Sequence, residues 1–264
     1  MAPSITLSSF TGPQLLLLSL PLLVLSEHRS RSYGGTVLFK MLSSASFLTG
    51  TLFTTSTELS PYRLAITIGL LCSLVGDFLL LPSRSEFKRT NAAIRNGVST
   101  SFQAGVVAFA AAHIAYITAF LKTAWTISYP TMIATFITTL LLAKWLGVIY
   151  PPRSHSSMRS NILNLTIAPE MKPLVLIYAV IISSMFAVAT AASDSITAAS
   201  TSSLISQRVI GAAMFVVSDV FVAASAFGST KPGGSGERGL LRIALGYGLY
   251  FWGQMVIAGT VEGQ

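Results

Sequence analysis

The chain alternates between long apolar runs and short polar stretches. Eight of the runs are each close to the roughly 20 residues that a helix needs to cross a bilayer. They cover residues 5–25, 36–57, 62–82, 102–121, 126–149, 172–192, 208–227 and 240–260. The polar stretches between them carry turn-forming residues, such as the prolines and serines of 151–157. The pattern predicts an all-α membrane protein with about eight transmembrane helices, in which residues 1–264 form a single polytopic domain.

The distribution of charge predicts how the chain is oriented across the membrane. The chain is 52% hydrophobic and only 10% charged, and it has a net charge of +8. Of the 17 basic residues, all but Arg63, Lys122 and Arg208 follow or flank the odd-numbered runs. By the positive-inside rule, that side of the membrane is cytoplasmic. The basic excess therefore indicates membrane topology and not a nucleic-acid partner.

Two aspartates interrupt the apolar runs. Asp77 lies within "SLVGDFLLL" and Asp219 within "FVVSDVFVA", and each follows a small residue, Gly76 or Ser218, that allows a neighbouring helix to come close. A charge near the centre of a bilayer costs roughly 2.5 to 3.5 kcal/mol, so such residues usually face the interior of a helical bundle. Two nearby carboxyl groups in an apolar site favour one neutral acid beside one ionised base. The alternative is that each aspartate only hydrogen-bonds a neighbouring helix or pairs with a lysine.

The runs also contain a weak internal repeat. The second run begins "FKMLSS" at Phe39 and the sixth begins "MKPLVL" at Met171, while the third run holds "VGD" and the seventh holds "VSD". Each pair is four runs apart, so the two halves would insert in the same direction. The spacing predicts two parallel four-helix repeats with their aspartates at similar depth.

The fourth run carries a polar pair on one helical face. Spacings of three and four residues align Gly105, Phe109, His113, Tyr116 and Phe120. His113 and Tyr116 are therefore candidates to orient a water molecule or a substrate head group. The alternative for His113 is a hydrogen bond between helices.

Four further residues are candidates for substrate binding. Tyr250 and Gln254 share a face of the eighth run, and an interfacial aromatic with a satisfied glutamine is the alternative there. Lys40 and Lys172 lie near the cytoplasmic ends of the second and sixth runs. Each either extends to the interface or meets a phosphate or an aspartate.

Several kinds of site are missing from the sequence. Cys72 is the single cysteine, so neither an intrachain disulfide nor a cysteine metal site is expected. The chain has no Gly-x-Ser-x-Gly elbow, no His-Glu-x-x-His pair and no phosphate-binding glycine loop. With only three histidines, no metal site is predicted.

The motifs together resemble those of the YhhN-like lysoplasmalogenase family of eight-span membrane proteins. The likeness lies in "GD" of the third run, the glycine-to-phenylalanine series of the fourth, "GAAMFVVSD" of the seventh and "YFWGQ" of the eighth. Members of that family cleave the vinyl ether bond of lysoplasmalogens and release a fatty aldehyde and glycerophosphocholine or glycerophosphoethanolamine. The resemblance implies that Asp77 and Asp219 are the catalytic residues and that the partner is a lysophospholipid within the membrane.

Residue chemistry and resemblance indicate the same mechanism. One aspartate protonates the vinyl ether carbon, and the other stabilises the cation and takes a proton from the attacking water. Asp77 is the first choice as acid and Asp219 as base, although the sequence does not separate the two roles. No cofactor is expected, because vinyl ethers are labile to acid alone. The endoplasmic reticulum is the default location.

Two other function classes fit the same residues. Paired intramembrane carboxylates and a parallel repeat are also typical of proton-coupled transporters. A structural or regulatory membrane protein would use the aspartates for helix association alone. In that case Asp77→Asn would weaken folding and leave function nearly unchanged.

Overall fold

The protein is a helical bundle. Its computed structural model describes residues 7, 11–52, 60–84, 87, 99–151, 161–193, 206–228 and 239–261. In those ranges the chain forms eight α-helices, which are α1 (Thr11–His28), α2 (Tyr33–Leu52), α3 (Pro61–Leu79), α4 (Thr100–Thr123), α5 (Tyr129–Leu146), α6 (Lys172–Ala191), α7 (Gln207–Phe227) and α8 (Leu240–Gly259). A single 3₁₀ turn, Pro169–Met171, leads into α6. Two short strands, β1 (Thr126–Ile127) and β2 (Ala192–Ser193), pair antiparallel beside the ends of α4 and α6.

Each predicted run overlaps one of these helices. In the first run, residues 5, 6 and 8–10 lie outside the described part of the chain, and α1 continues past the end of the run to His28. The last residues of the second run, 53–57, lie outside the described part of the chain. Helices α3 to α8 are each long and apolar enough to cross a membrane. The chain is therefore a multi-pass integral membrane protein.

The count of eight spans and the repeat stay predictions. Helices α1 and α2 are not among the six that meet the length and hydropathy required of a span. In α2 the reason is its polar content, since Lys40 and a series of serines and threonines are buried along it. This helix owes its place to polar contacts inside the bundle as well as to apolar burial.

Helix α8 lies at the centre of the packing. It contacts α1, α2, α3 and α7. Helices α3 and α4 pack most closely on each other, and α4 also contacts α6. Large side chains from several helices fill the core, among them Phe47, Tyr116, Phe120, Phe215 and Phe251, all fully buried. In contrast, α5 packs mainly on α6 and buries only Thr139. The remainder of α5 exposes an apolar surface that suits contact with lipid.

Two buried arginines each contact the end of a neighbouring helix. Arg63, at the start of α3, donates through Nε and Nη2 to the carbonyl of Thr51 at 3.1 and 2.8 Å. Arg208, at the start of α7, donates to the carbonyls of Ala189 and Ala192 at the end of α6. Carbonyls in the last turn of a helix have no partner within the helix and attract positive charge. Two of the three basic residues that depart from the cytoplasmic pattern thus have a structural role.

Close contact between α3 and α4 depends on glycine. A β-carbon at Gly69 would overlap the ring of Tyr116, and one at Gly76 would lie 2.7 Å from Cε2 of Phe109. The small residue before Asp77 therefore does allow α4 to come close, as the sequence predicts. This contact sets the distance between the helix that carries Asp77 and the helix that carries His113.

We expect Gly69→Val to destabilise the protein by about 1 to 3 kcal/mol or more, because the Tyr116 ring is fully buried and overpacking forces the helices apart. Detergent-solubilised protein would be unfolded by heat and followed by circular dichroism. Gly248→Val is the matched control, since a β-carbon at Gly248 in α8 has no atom within 4 Å. Equal losses of stability in the two variants would contradict the close α3–α4 contact.

Candidate active site

Asp77 is the acceptor at the centre of a cluster formed by three helices. Its side chain lies on α3 and the residue is only 2% exposed. The Lys40 ammonium of α2 lies 3.6 Å from Oδ1. Ser44 of α2 and Tyr250 of α8 both donate to Oδ2, at 2.8 and 2.7 Å. The Asp77 carboxyl group is therefore held by one cation and two hydroxyl donors within an apolar bundle.

The local sequence explains how α2 provides two of these partners. Lys40 and Ser44 are four residues apart, so both lie on the same face of the helix. The Ser44 hydroxyl also lies 3.0 Å from the Lys40 carbonyl. Such a contact with the preceding turn is common for serine within helices. The Lys40 carbonyl and Asp77 Oδ2 are both acceptors within reach of the single Ser44 hydroxyl proton, and Oδ2 is the nearer. The α2 face toward α3 is thus arranged to receive a carboxylate.

A second polar group lies one turn deeper between α3 and α8. Gln254 donates through Nε2 to Ser73 at 2.9 Å and accepts from the Tyr116 hydroxyl at 2.7 Å. Ser73 also lies 3.4 Å from Tyr116 Oη. All three are fully buried. Tyr116 and Gln254 therefore satisfy each other and support the layer next to Asp77, and neither hydrogen-bonds the Asp77 carboxyl group.

Asp219 belongs to a different cluster. Tyr178 of α6 donates to its Oδ2 at 2.5 Å, and the Tyr178 hydroxyl lies 3.1 Å from Nε2 of His113 on α4. His113 is fully buried, and its Nδ1 has no hydrogen-bond partner among the described residues. Asp219 itself is only partly buried. Helices α4, α6 and α7 are thus joined by a chain of three polar side chains.

Aromatic rings lie between the two clusters. The Phe215 ring centroid is 4.5 Å from that of His113 and 5.4 Å from that of Tyr250. Phe109 lies against Phe215 and Tyr250 at 6.3 and 5.8 Å. Within the described part of the chain, no side chain hydrogen-bonds both carboxyl groups. The two aspartates share a region of the bundle, separated by apolar side chains.

The two candidate lysines have different surroundings. Lys40 pairs with Asp77, which is one of the two alternatives that the sequence left open. Lys172 lies 6.0 Å from the ring centroid of Tyr150, and it has no ion pair with an aspartate in the described ranges. The reason is its position, since Lys172 is the first residue of α6 while Tyr178, the partner of Asp219, lies more than a turn further along that helix. Lys172 is therefore separate from both clusters.

Two contacts were not expected from the sequence. Ser44 follows Lys40 by one turn, so a search for polar neighbours of that lysine on the same helical face would have found it. Tyr178 is a single tyrosine in the apolar sequence "VLIYAVII", and nothing in that sequence separates it from ordinary packing. Among the described residues, no group of three or more histidine, cysteine or acidic side chains could hold a metal ion.

Comparison with known proteins identifies the family of the chain. A sequence profile of the YhhN family matches residues 35–261, a range that includes both clusters. No curated protein and no solved structure matches the chain. The match covers most of the chain and confirms the resemblance that the motifs indicated. The chain belongs to the YhhN family.

Proposed function

We propose that the protein is a lysoplasmalogenase, a hydrolase that cleaves the vinyl ether bond of a lysoplasmalogen within the membrane. Family membership is consistent with this activity. The observation that carries the proposal is the buried Asp77 carboxyl group, which an ammonium and two hydroxyls hold inside an apolar bundle. Intramembrane ionisable side chains of this kind are costly and usually functional.

The contacts favour different roles for the two aspartates. An ionised carboxylate only accepts hydrogen bonds, and Asp77 meets two hydroxyl donors and a lysine. Asp219 meets a single hydroxyl, through Oδ2, and no described residue hydrogen-bonds its Oδ1. We assign Asp219 as the proton donor and Asp77 as the anion. This assignment reverses the first choice made from the sequence.

The proposed reaction consumes one water and needs no other reactant. Asp219 gives its proton to the vinyl carbon that is not bonded to oxygen, which leaves an oxocarbenium ion on the adjacent carbon. Asp77 stabilises that cation and accepts a proton as water adds to it. The hemiacetal then breaks its carbon–oxygen bond. Asp77 returns the proton it took from water to the ether oxygen, and Asp219 takes the hydroxyl proton of the hemiacetal, so that a fatty aldehyde and the glycerophospho alcohol leave and both carboxyl groups regain their starting states.

Aromatic side chains separate the two clusters, so the mechanism requires one of these side chains to move. A lipid that contacts both carboxyl groups has to displace Phe215, whose ring lies against both His113 and Tyr250. Rotation of Phe215 on substrate entry is therefore part of the proposal. The lipid would enter from the bilayer on the cytoplasmic side, and the endoplasmic reticulum remains the proposed location.

The test is the release of fatty aldehyde by detergent-purified protein from a lysoplasmalogen, compared with a saturated alkyl-ether lysolipid. We expect aldehyde from the vinyl ether alone, and a rate about 10²- to 10⁴-fold lower in Asp219→Asn, the range that a general acid contributes. A folded wild-type protein that releases no aldehyde would rule out the hydrolase. Proton-coupled transport in liposomes would then be measured.

A further inference from the structure

A chain of polar side chains runs from His113 through Tyr178 to Asp219, and of its three members only Asp219 has a part in the mechanism described so far. It joins three helices, α4, α6 and α7, within the apolar bundle. Its two hydrogen bonds measure 3.1 Å and 2.5 Å. Placing three polar side chains together in an apolar interior is unfavourable unless they satisfy one another. The arrangement therefore has a purpose beyond filling space.

The same bonds suit both states of Asp219. When Asp219 is ionised, Tyr178 donates to Oδ2 and accepts from Nε2–H of His113. When Asp219 carries its proton on Oδ1, Oδ2 remains an acceptor and neither bond has to change. A hydroxyl both donates and accepts, and a neutral histidine can carry its proton on Nε2, so this arrangement is available. The contact to Oδ2 persists in either state.

This persistence leaves one oxygen of Asp219 for chemistry. Oδ2 is held by Tyr178, and no described residue hydrogen-bonds Oδ1. Rotation of the carboxyl group about its Cβ–Cγ bond would break the contact to Tyr178. In the structure without lipid, the ring of Phe215 packs 4.5 Å from the His113 ring. The hydroxyl of Tyr178 is thus held from one side by histidine and aims at the carboxyl group on the other.

We propose that Tyr178 is a positioning residue that orients Asp219 so that Oδ1 faces the reacting vinyl ether, and that His113 fixes the direction of the Tyr178 hydroxyl. The proposal rests on the proposed function for the identity of the reaction. The hydrogen bond itself is testable without that function. His113 thereby acts through Tyr178 and not as a ligand for the lipid head group.

The test uses Tyr178→Phe, which removes one oxygen atom, together with His113→Gln. Tyr62→Phe is the matched control, because it removes a hydroxyl that bonds Thr260 at 2.7 Å in a different part of the bundle. We expect Tyr178→Phe to lower kcat roughly 10- to 100-fold, the loss that a small misplacement of a reacting group causes. KM should change little, because binding does not use this bond. His113→Gln should lower kcat less, and Tyr62→Phe should leave kcat unchanged.

Infrared spectroscopy gives the second measurement. The carboxyl band of Asp219, assigned by its loss in Asp219→Asn, should shift in Tyr178→Phe and stay unchanged in Tyr62→Phe. If the wild type releases aldehyde and Tyr178→Phe retains full kcat, the positioning role is wrong while the proposed function stands. If the wild type is inactive, the function fails, and the band decides the inference: a shift supports the role of Tyr178 on Asp219, and no shift overturns it.

Discussion

Asp77→Asn is expected to lower the rate of aldehyde release by about 10²- to 10⁴-fold, the contribution of a general acid or base. Asparagine keeps the size of aspartate and still accepts from Ser44 or Tyr250, so the cluster retains its shape. It cannot carry the negative charge that stabilises the oxocarbenium ion or accept the proton of the attacking water. The loss should therefore appear in kcat, measured on folded protein with a lysoplasmalogen substrate.

Ser44→Ala provides the control for this variant. It removes one of the hydroxyl donors to Asp77 and leaves both the carboxylate and Lys40 in place. The loss of one hydrogen bond to a charged group is about 1.5 to 3 kcal/mol at most, and only part of it should fall on catalysis, so Ser44→Ala should be more active than Asp77→Asn. Near-normal hydrolysis by a folded Asp77→Asn protein would assign Asp77 to helix association alone.

Lys40→Met is expected to destabilise the protein by about 3 to 5 kcal/mol, the cost of removing one partner from a buried ion pair. Methionine fills a similar volume with an apolar chain, but it leaves the Asp77 carboxylate without its cation in a site that is almost closed to water. The measurement is unfolding in mixed detergent micelles with increasing sodium dodecyl sulfate.

The double variant Lys40→Met with Asp77→Asn tests whether the effect of Lys40 on stability depends on the charge of Asp77. Because the charge that Lys40 neutralises is then absent, the double variant should regain most of the lost stability. It should remain inactive, since the carboxylate is missing. Strictly additive losses in the two single variants would show that the 3.6 Å contact between Lys40 and Asp77 contributes nothing to folding.

Helix positions were predictable here because a bilayer imposes a length on each apolar run. The run at 172–192 matches α6 (Lys172–Ala191) almost residue for residue, and 208–227 matches α7 (Gln207–Phe227) as closely. The residue at which a helix ends was harder to predict where an apolar run meets a polar stretch. In α1 the helix continues past the apolar run to His28, because Ser26 and Thr36 join the helix end to the start of α2 by a hydrogen bond.

The site was predictable in part. A carboxylate in an apolar run needs a partner, and the sequence offered Lys40 as one candidate cation while leaving open that it extends to the interface; the structure pairs it with Asp77. The partner of Asp219 did not, because tyrosine occurs in apolar runs for packing as often as for bonding. Nor does a sequence show that Phe215 lies between the clusters, since that depends on how α7 is rotated relative to α4 and α8.

The central position of α8 has a consequence for biosynthesis. This helix follows the other seven described helices, yet it supplies Tyr250 to Asp77 and Gln254 to Ser73 and Tyr116. Until the ribosome has delivered α8 to the membrane, these buried groups lack their partners. A nascent chain stalled before Leu240 would expose unsatisfied hydroxyls to lipid. We therefore expect α3 and α4 to reach their final packing only after α8 has been inserted.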